Sequence, residues 1–303
     1  MEQRQFGKTD MRVTVLGFGS AEIGMDKDLN VSQEDANQLL SKVLDSGINV
    51  IDTASSYNTS EEKIGRAISH RRQEYYLFSK CGEGSSVGLD YPDWDARNVR
   101  PSVERSLKRL QTDYLDLVLI HSCSEAILRQ GDLIQEVKKL KEDGLVRYIG
   151  YSGDSTNALY AIQTDEFDVL ETSLNIADQE PIDLKTLEEA EKRQMGIIIK
   201  RPVANVVWNR GPEAPNNPDI YKERLDKLNY SFMNESPDKI LEYALRFTLS
   251  VPQVDTAIVG TTKPEHVLEN IAMANKGKLT DSEMNEIRRR WQEVCEPAWA
   301  GLK

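Results

Sequence analysis

Eight short apolar runs, separated by segments with helical spacing, constrain the fold of this 303-residue chain more than any other feature. Each run is three to six residues long, which suits a buried strand better than a helix. Strands that alternate with helices pair in parallel through right-handed crossovers. The predicted strands are residues 13–16, 48–51, 76–78, 115–120, 148–151, 167–170, 197–199 and 256–259.

The segments between these runs carry helix boundaries as well as helical periodicity. One predicted helix begins at a capping box formed by Ser32 and Asp35 and stops at Gly47. Another is capped by Ser236 and has Pro237 in its first helical position. Further helices are predicted over residues 60–68, 101–110, 133–141, 184–193, 237–249, 267–274 and 280–295.

Eight strand and helix units favour a closed barrel over an open sheet. The fragment Gly17-Phe18-Gly19 is too short to be a dinucleotide fingerprint, and single α/β barrels commonly reach about 250 residues or more. We therefore expect residues 1–303 to form one (β/α)8 TIM barrel domain with an N-terminal β-hairpin over 4–15 and a C-terminal helical extension. Residues 201–236 lack clear periodicity and are expected to form a long irregular loop.

Composition argues against several classes of protein. There are 50 Asp and Glu against 38 Lys and Arg, so a nucleic acid or an anionic membrane is not expected as a partner. Three cysteines without a Cys-x-x-Cys pair or a secretory leader predict reduced thiols and a cytoplasmic location. Three histidines give little basis for a metal site, and no apolar run approaches the roughly 20 residues that span a bilayer.

Four polar residues follow predicted strands two, three and four. Asp52 comes directly after the second strand and Tyr57 lies five residues further on. Lys80 follows the third strand and His121 the fourth. Because catalytic groups in such barrels gather at the carboxyl ends of the strands, we expect the four side chains to meet at one mouth.

The segments around these residues resemble the aldo-keto reductase family. The resemblance rests on Asp52-Thr-Ala-Ser-Ser-Tyr57-Asn-x-Ser60-Glu61, Phe78-Ser-Lys80 and Leu119-Ile-His121, and extends from about residue 4 to residue 275. It implies an (α/β)8 barrel that reduces aldehydes or ketones with a nicotinamide cofactor, and it identifies the four residues with the family's catalytic tetrad.

The chemistry of the four side chains agrees with that implication. Carbonyl reduction needs a proton donor near the carbonyl oxygen, and the Tyr57 phenol, with an ordinary pKa of about 10, is the candidate acid. A Lys80 ammonium would favour the phenolate, and Asp52 would hold Lys80 charged. His121 could donate a hydrogen bond to the carbonyl oxygen. Taken singly, each residue has an ordinary structural explanation as a cap, a packing residue, a solvated charge or a satisfied histidine.

The turn after the last strand is the candidate phosphate site. Residues 259–266 lead into a predicted helix, and backbone N–H groups at such a turn bind phosphate. The resemblance implies that the adenosine phosphate is held by Gly260, Thr262, Lys263 and His266, and that the adenine amine is met by Glu269 and Asn270. It also places Ser20 and Asp52 among the cofactor-binding residues. Lys263 and His266 favour NADP over NAD as the cofactor, although NAD is compatible and Lys263 alone could serve only as a solvated helix start.

The candidate nicotinamide contacts depart from the family's pattern. Ser152 matches a serine near the carboxamide, but Gly153 follows it where relatives often have asparagine. Glu171 stands where glutamine is usual, and a carboxylate accepts hydrogen bonds but cannot donate them. Lys200, Arg201 and Pro202 occupy the place of a stacking aromatic, and Arg201 is expected to lie on the cofactor or its diphosphate.

The sequence therefore predicts an NADP-dependent reductase of an aldehyde, ketone or sugar carbonyl, with Tyr57 as proton donor. Two alternatives stay open: a sugar or polyol dehydrogenase that uses the same groups in the oxidative direction, and a regulatory barrel that holds nicotinamide without turnover. The expected partner is a small carbonyl compound. The oligomeric state is open, and a monomer is compatible with the sequence. Aromatic residues expected near the mouth, with no role assigned, are Tyr91, Trp94, Trp208 and Trp299.

Overall fold

A closed barrel of eight parallel strands forms the centre of the computed structural model, which describes residues 1–25, 30–85, 88–209 and 220–302. Each barrel strand pairs with its neighbours in chain order, and the last pairs with the first. The predicted (β/α)8 fold is confirmed. A hairpin of β1 (Gln3–Gln5) and β2 (Arg12–Thr14) precedes the barrel strands β3 (Leu16–Gly19), β4 (Val50–Asp52), β5 (Tyr76–Cys81), β6 (Leu115–His121), β7 (Val146–Ser152), β8 (Val169–Ser173), β9 (Gly196–Lys200) and β10 (Thr256–Gly260).

Helices connect successive strands and cover the outside of the barrel. The described α-helices are α1 (Ala21–Gly24), α2 (Gln33–Asp45), α3 (Ser60–Ile68), α4 (Val99–Leu110), α5 (Glu125–Leu128), α6 (Asp132–Glu142), α7 (Ser155–Gln163), α8 (Glu180–Asp183), α9 (Thr186–Lys192), α10 (Ile220–Leu228), α11 (Pro237–Ser250), α12 (Pro264–Ala274) and α13 (Asp281–Val294). Short 3-10 helices span Ser69–Glu74, Ala96–Asn98, Ala204–Asn209 and Ser231–Asn234.

The helix ends follow the local sequence rules. Ser32 and Asp35 form the predicted capping box of α2, and Ser236 caps α11 with Pro237 in the first turn. Thr280 and Glu283 form a second capping box at the start of α13, the predicted C-terminal helical extension. Each box satisfies backbone N–H groups that the first helical turn leaves without partners.

Several predicted boundaries were wrong. β4 and β5 extend beyond their predicted ends, so Asp52 and Lys80 lie within strands rather than after them. The first barrel strand is β3 rather than residues 13–16, because β2 takes 12–14 into the hairpin and two glycines weaken the apolar pattern of β3. The predicted helix 184–193 is the shorter α9, and a separate short helix, α8, precedes it. The expected irregular loop 201–236 contains α10; its Gly- and Pro-rich part, residues 210–219, lies outside the described residues.

The hairpin closes the amino-terminal end of the barrel, as expected. Phe6, Met11 and Val13 are buried among inward-facing side chains of the strands. The Phe6 ring stacks on that of Phe78, with centroids 5.7 Å apart. The amino-terminal end of the barrel is therefore filled by side chains, and the tetrad candidates lie at the carboxyl end. No helix within the described ranges has the length and apolar content needed to span a membrane.

Gly7 at the hairpin turn provides a stability test. Its φ of 51° is left-handed, and a Cβ there would lie 2.3 Å from the Gly196 nitrogen. Gly47 is also left-handed, at φ 82°, but faces open space. We expect Gly47→Ala to lower the free energy of unfolding by about 1 kcal/mol through backbone strain alone. Gly7→Ala should cost roughly 2 kcal/mol more, because the clash is with backbone.

Urea denaturation of the two variants and the parent checks this difference. If the free energy of unfolding falls equally in Gly7→Ala and Gly47→Ala, the stability of the hairpin turn does not depend on its contact with β9.

Candidate active site

The four tetrad candidates lie together at the carboxyl end of the barrel. Asp52 and His121 are the last residues of β4 and β6, and Lys80 lies next to the last residue of β5. Tyr57 lies in the turn between β4 and α3, where its N–H donates to Ala54 O at 3.1 Å. Parallel pairing of β4, β5 and β6 aligns the strand ends that carry three of these side chains.

A buried ion pair forms the centre of the site. Lys80 Nζ lies 2.5 Å from Asp52 Oδ1 and donates to Thr53 O at 3.1 Å, and both charged side chains are 1% exposed. The ammonium is 5.5 Å from the centroid of the Tyr57 ring. The rings of Tyr57 and His121 meet edge to face, with centroids 6.0 Å apart. The phenol therefore has the ammonium on one side and the imidazole on another.

Burial and nearby charges shift the pKa values of Tyr57 and Lys80 in opposite directions. Burial raises the pKa of the Tyr57 phenol to about 12, although the Lys80 ammonium acts to lower it. Burial alone would depress the pKa of Lys80, but Asp52, Glu171 and Tyr57 together outweigh it, and the net shift is upward. Near neutral pH, Lys80 is therefore an ammonium and Tyr57 a protonated phenol.

Two residues to which sequence reasoning gave no role fix His121. Glu83 Oε2 lies 3.1 Å from His121 Nδ1. Burial acts to raise the pKa of the Glu83 carboxyl, but its interaction with His121 outweighs burial, and the pKa is lowered. Trp94, one of the aromatics expected near the mouth, donates from Nε1 to His121 O at 2.7 Å. Glu83 is a polar residue three positions after Lys80, and this placement was the available sequence signal.

Glu171 brings a second carboxylate to Lys80. Its Oε2 is 3.4 Å from Lys80 Nζ, and its Oε1 accepts a hydrogen bond from Ser152 Oγ at 2.9 Å. Burial, followed by repulsion from Glu171, raises the pKa of Asp52 to about 8. For Glu171 itself, the effect of burial is outweighed by Lys80 and Lys200, which lower its pKa. Two predicted nicotinamide contacts, Ser152 and Glu171, are thus joined to the tetrad.

The residues at the end of β9 are held in place by contacts with other parts of the chain. Lys200 Nζ forms an ion pair with Asp154 Oδ2 at 3.0 Å. Arg201 adopts a left-handed φ of 55°, and its guanidinium donates to Ser173 Oγ at 3.0 Å and Leu302 O at 2.7 Å. Pro202 O accepts from the Thr248 hydroxyl at 3.0 Å. These contacts fix the loop that was predicted to meet the cofactor.

The predicted phosphate turn lies beside the first barrel strand. Gly260 is in register with Gly19, and the next residue, Ser20, donates its N–H to Asp52 O at 2.9 Å. A cavity of about 190 Å³ lies between this turn and α2. Its lining includes Asp35 and Thr262, with Val31, Gln38 and Pro264 completing it.

The start of α12 extends this turn. Lys263 is exposed, and its N–H donates to Thr261 Oγ1, which also lies 3.1 Å from His266 Nδ1. No described side chain caps the helix at Lys263. On α12, Glu269 is exposed and Asn270 is buried. The turn therefore presents a helix N-terminus flanked by one cationic side chain.

Two neighbours of the mouth were not expected in these roles. The Glu22 carboxylate lies against Gly260, since a Cβ there would be 1.9 Å from Glu22 Oε2. The C-terminal segment is held by Arg224, which donates to Ala300 O at 2.7 Å. Trp299 packs on Trp291 of α13, with ring centroids 5.4 Å apart, and is buried rather than facing solvent.

Comparisons with known proteins agree with this arrangement. A sequence model described as the Aldo/keto reductase family matches residues 15–292. The uncharacterized oxidoreductase YqkF of Bacillus subtilis (strain 168) is 28% identical, over 95% of this chain and 96% of the relative. L-galactose dehydrogenase of Arabidopsis thaliana is 28% identical, over 90% and 88%. The solved holo form of aldo-keto reductase AKR11C1 from Bacillus halodurans superposes with a TM-score of 0.83 at 26% identity, covering 98% of this chain and 99% of that one.

The matched range covers all eight barrel strands and the residues gathered at their carboxyl ends. The family uses NAD(P)H to act on small carbonyl compounds. This chain belongs to the aldo-keto reductase family and is an NAD(P)H-dependent oxidoreductase.

Proposed function

We propose that this protein reduces the carbonyl group of an aldehyde, ketone or sugar, with NADPH as hydride donor and Tyr57 as proton donor. The observation that carries the proposal is the buried Lys80–Asp52 ion pair beside the Tyr57 ring. Burying a charged pair costs several kcal/mol of desolvation. The attraction between the two charges offsets this cost only if their geometry is good. The position of the pair against a phenol at the carboxyl end of the barrel supports a catalytic use.

The pair makes Tyr57 a suitable acid. In the cofactor-free protein the pKa of about 12 keeps the phenol protonated at neutral pH. Hydride arrival builds negative charge on the carbonyl oxygen, and proton transfer from Tyr57 neutralises it. The phenolate left behind faces the Lys80 ammonium 5.5 Å from its ring centroid, which stabilises it. Asp52 and Glu171 together keep that ammonium charged.

His121 orients the substrate oxygen in this proposal. Its contact with Glu83 uses Nδ1 and leaves Nε2 for the substrate. A neutral ring that donates from Nδ1 has Nε2 as an acceptor, whereas an imidazolium donates from both nitrogens. Donation to a carbonyl oxygen therefore requires a proton on Nε2.

The residues present fit a nicotinamide cofactor, which supplies the hydride when bound. Glu171 Oε2 is a buried acceptor without a hydrogen-bond partner among the described residues, and with Ser152 it would hold the carboxamide. The start of α12, with Lys263, and the cavity beside it would hold the adenosine phosphate. Asp35 lines the same cavity and opposes added negative charge, so the preference for NADP rests on Lys263 outweighing it.

A second candidate is a sugar dehydrogenase working in the oxidative direction. The relative named L-galactose dehydrogenase, 28% identical, favours it. The same four groups serve both directions, because Tyr57 as phenolate would accept the proton of an alcohol. A nicotinamide-binding barrel without turnover is disfavoured by the complete tetrad.

Replacing Tyr57 by Phe tests the proton donor. We expect Tyr57→Phe to lower kcat for aldehyde reduction at least about 100-fold, since general acid catalysis contributes roughly that much, while the Kd for NADPH stays within about twofold. The measurement is the loss of NADPH absorbance with a panel of aldehydes, ketones and sugars, beside a fluorescence titration of NADPH. A panel of sugars and polyols with oxidised cofactor tests the reverse direction.

The matched control is Tyr76→Phe, which removes a phenol at the opposite end of the barrel, where it accepts from the Arg12 N–H. Full activity in Tyr57→Phe would exclude Tyr57 as the donor. Absence of turnover in the parent with every carbonyl and alcohol, despite cofactor binding, would favour the non-catalytic barrel.

Replacing Lys263 by Ala tests the cofactor preference. A charge-assisted contact is worth about 1.5–3 kcal/mol, so Lys263→Ala should weaken NADPH binding about tenfold or more and leave the NADH Kd nearly unchanged. Fluorescence titration with both cofactors measures this, with Lys278→Ala as a control for loss of a surface charge. Equal weakening of NADPH and NADH would remove the reason for preferring NADP.

A further inference from the structure

Two buried carboxylates share one ammonium at the centre of the site. Lys80 Nζ is 2.5 Å from Asp52 Oδ1 and 3.4 Å from Glu171 Oε2, and all three side chains are at most 2% exposed. If both acids were ionised, the cluster would carry one uncompensated negative charge away from water. Such a charge is costly, because burial penalises the ionised form.

The cluster has more hydrogen-bond acceptors than donors, just as it has more acids than cations. Asp52 Oδ2 and Glu171 Oε2 are both buried, and neither has a hydrogen-bond partner among the described residues. Both carboxyl groups lie within 3.4 Å of the same Lys80 Nζ, and Glu171 acts to raise the pKa of Asp52. One proton held between them would satisfy both oxygens and would remove the surplus charge. Leaving two buried acceptors unpaired would destabilise the folded protein.

The groups that face the pair come from several elements. Ser152 on β7 donates to Glu171 Oε1, which leaves Oε2 for the pair. Lys200 on β9 and His121 on β6 both favour ionised Glu171. Lys200 is itself paired with Asp154, so Lys80 is the only cation of the cluster in direct contact with both acids among the described residues. Tyr57 adds a phenol but no charge at neutral pH.

These surroundings place the proton on Asp52. Burial, then Glu171, raises the pKa of Asp52 to about 8, whereas that of Glu171 is lowered because Lys80 and Lys200 outweigh its burial. The arrangement is that of two carboxyls held too close to ionise together, in which one keeps its proton near neutral pH.

We propose that Asp52 and Glu171 share one proton in the cofactor-free protein, and that binding of the oxidised cofactor expels it to solvent. The proposal rests on the proposed function, which places a nicotinamide ring beside Tyr57 and Glu171. The oxidised ring carries a positive charge that compensates the second carboxylate, and the reduced ring is neutral. The Asp52 carboxyl becomes a carboxylate and the proton goes to water, with no electron transferred.

The pH dependence follows from this exchange. Below about pH 8 the pair holds its proton, so binding the oxidised cofactor must release it, and the affinity should increase as the pH rises toward 8. Above that pH the pair is already ionised and the affinity should level off. The reduced cofactor should show a weaker dependence over the same range.

Calorimetry counts the proton directly. Binding of NADP+ and of NADPH at pH 7, each in two buffers of different ionisation enthalpy, gives the protons released per cofactor. A group with a pKa of about 8 is roughly nine-tenths protonated at pH 7. We therefore expect NADP+ to release at least about half a proton more than NADPH. Both cofactors carry the same phosphates and carboxamide, so the difference reports the ring charge.

Variants assign the proton to the pair. Glu171→Gln keeps the side-chain shape and should abolish the difference between the two cofactors. Glu83→Gln, which removes a carboxylate beside His121, should keep it. Asp52→Asn removes the other member of the pair and should abolish the difference as well, so it decides the matter if Glu171→Gln does not fold.

Two results overturn the inference, and they are distinguishable from a failure of the proposed function. Equal proton release for NADP+ and NADPH in the parent protein would exclude the shared proton, as would an unchanged difference in Glu171→Gln. Failure of both cofactors to bind would reject the proposed function, and the inference with it.

Discussion

The site depends on keeping the Lys80 ammonium charged inside the barrel. At 1% exposure, desolvation would drive its proton off, and Asp52 and Glu171 prevent this. The fold itself brings Asp52 near Lys80, because β4 and β5 run parallel and Asp52 is in register with Phe78, two residues before Lys80. Every other feature of the site is arranged around that charge: Tyr57 beside it, His121 across the phenol, and Ser152 behind Glu171.

The two ends of the barrel have separate tasks. At the amino end, the hairpin fills the interior with Phe6, Met11 and Val13, and apolar packing stabilises the closed sheet. At the carboxyl end, the strands finish in charged and polar residues. The desolvation of these charges is offset by ion pairing, as in Lys80 with Asp52 and Lys200 with Asp154. Stability is therefore supplied at the end remote from the chemistry, as is general in barrels of this type.

Features with a local signal could be predicted from the sequence. The alternation of strands and helices, the capping box of α2, and the gathering of Asp52, Tyr57, Lys80 and His121 follow from residue order and from parallel pairing. Contacts between distant segments could not be predicted: Asp154 with Lys200, and Arg201 with the Leu302 carbonyl, depend on how loops pack over the mouth. Glu22 against Gly260 depends on the same packing.

Glu171 shows why a substitution is hard to interpret without its neighbours. From the sequence, a carboxylate in place of an amide is only the loss of a hydrogen-bond donor. In the structure it is also a second anion on Lys80, with an orphaned oxygen beside that of Asp52. On the proposed function, Glu171 and the four tetrad candidates would form one electrostatic unit, in which the charge of a bound nicotinamide would set the protonation of Asp52. An ionised Asp52 would then hold Lys80 charged at the stage where Tyr57 has given up its proton and its phenolate depends on the ammonium.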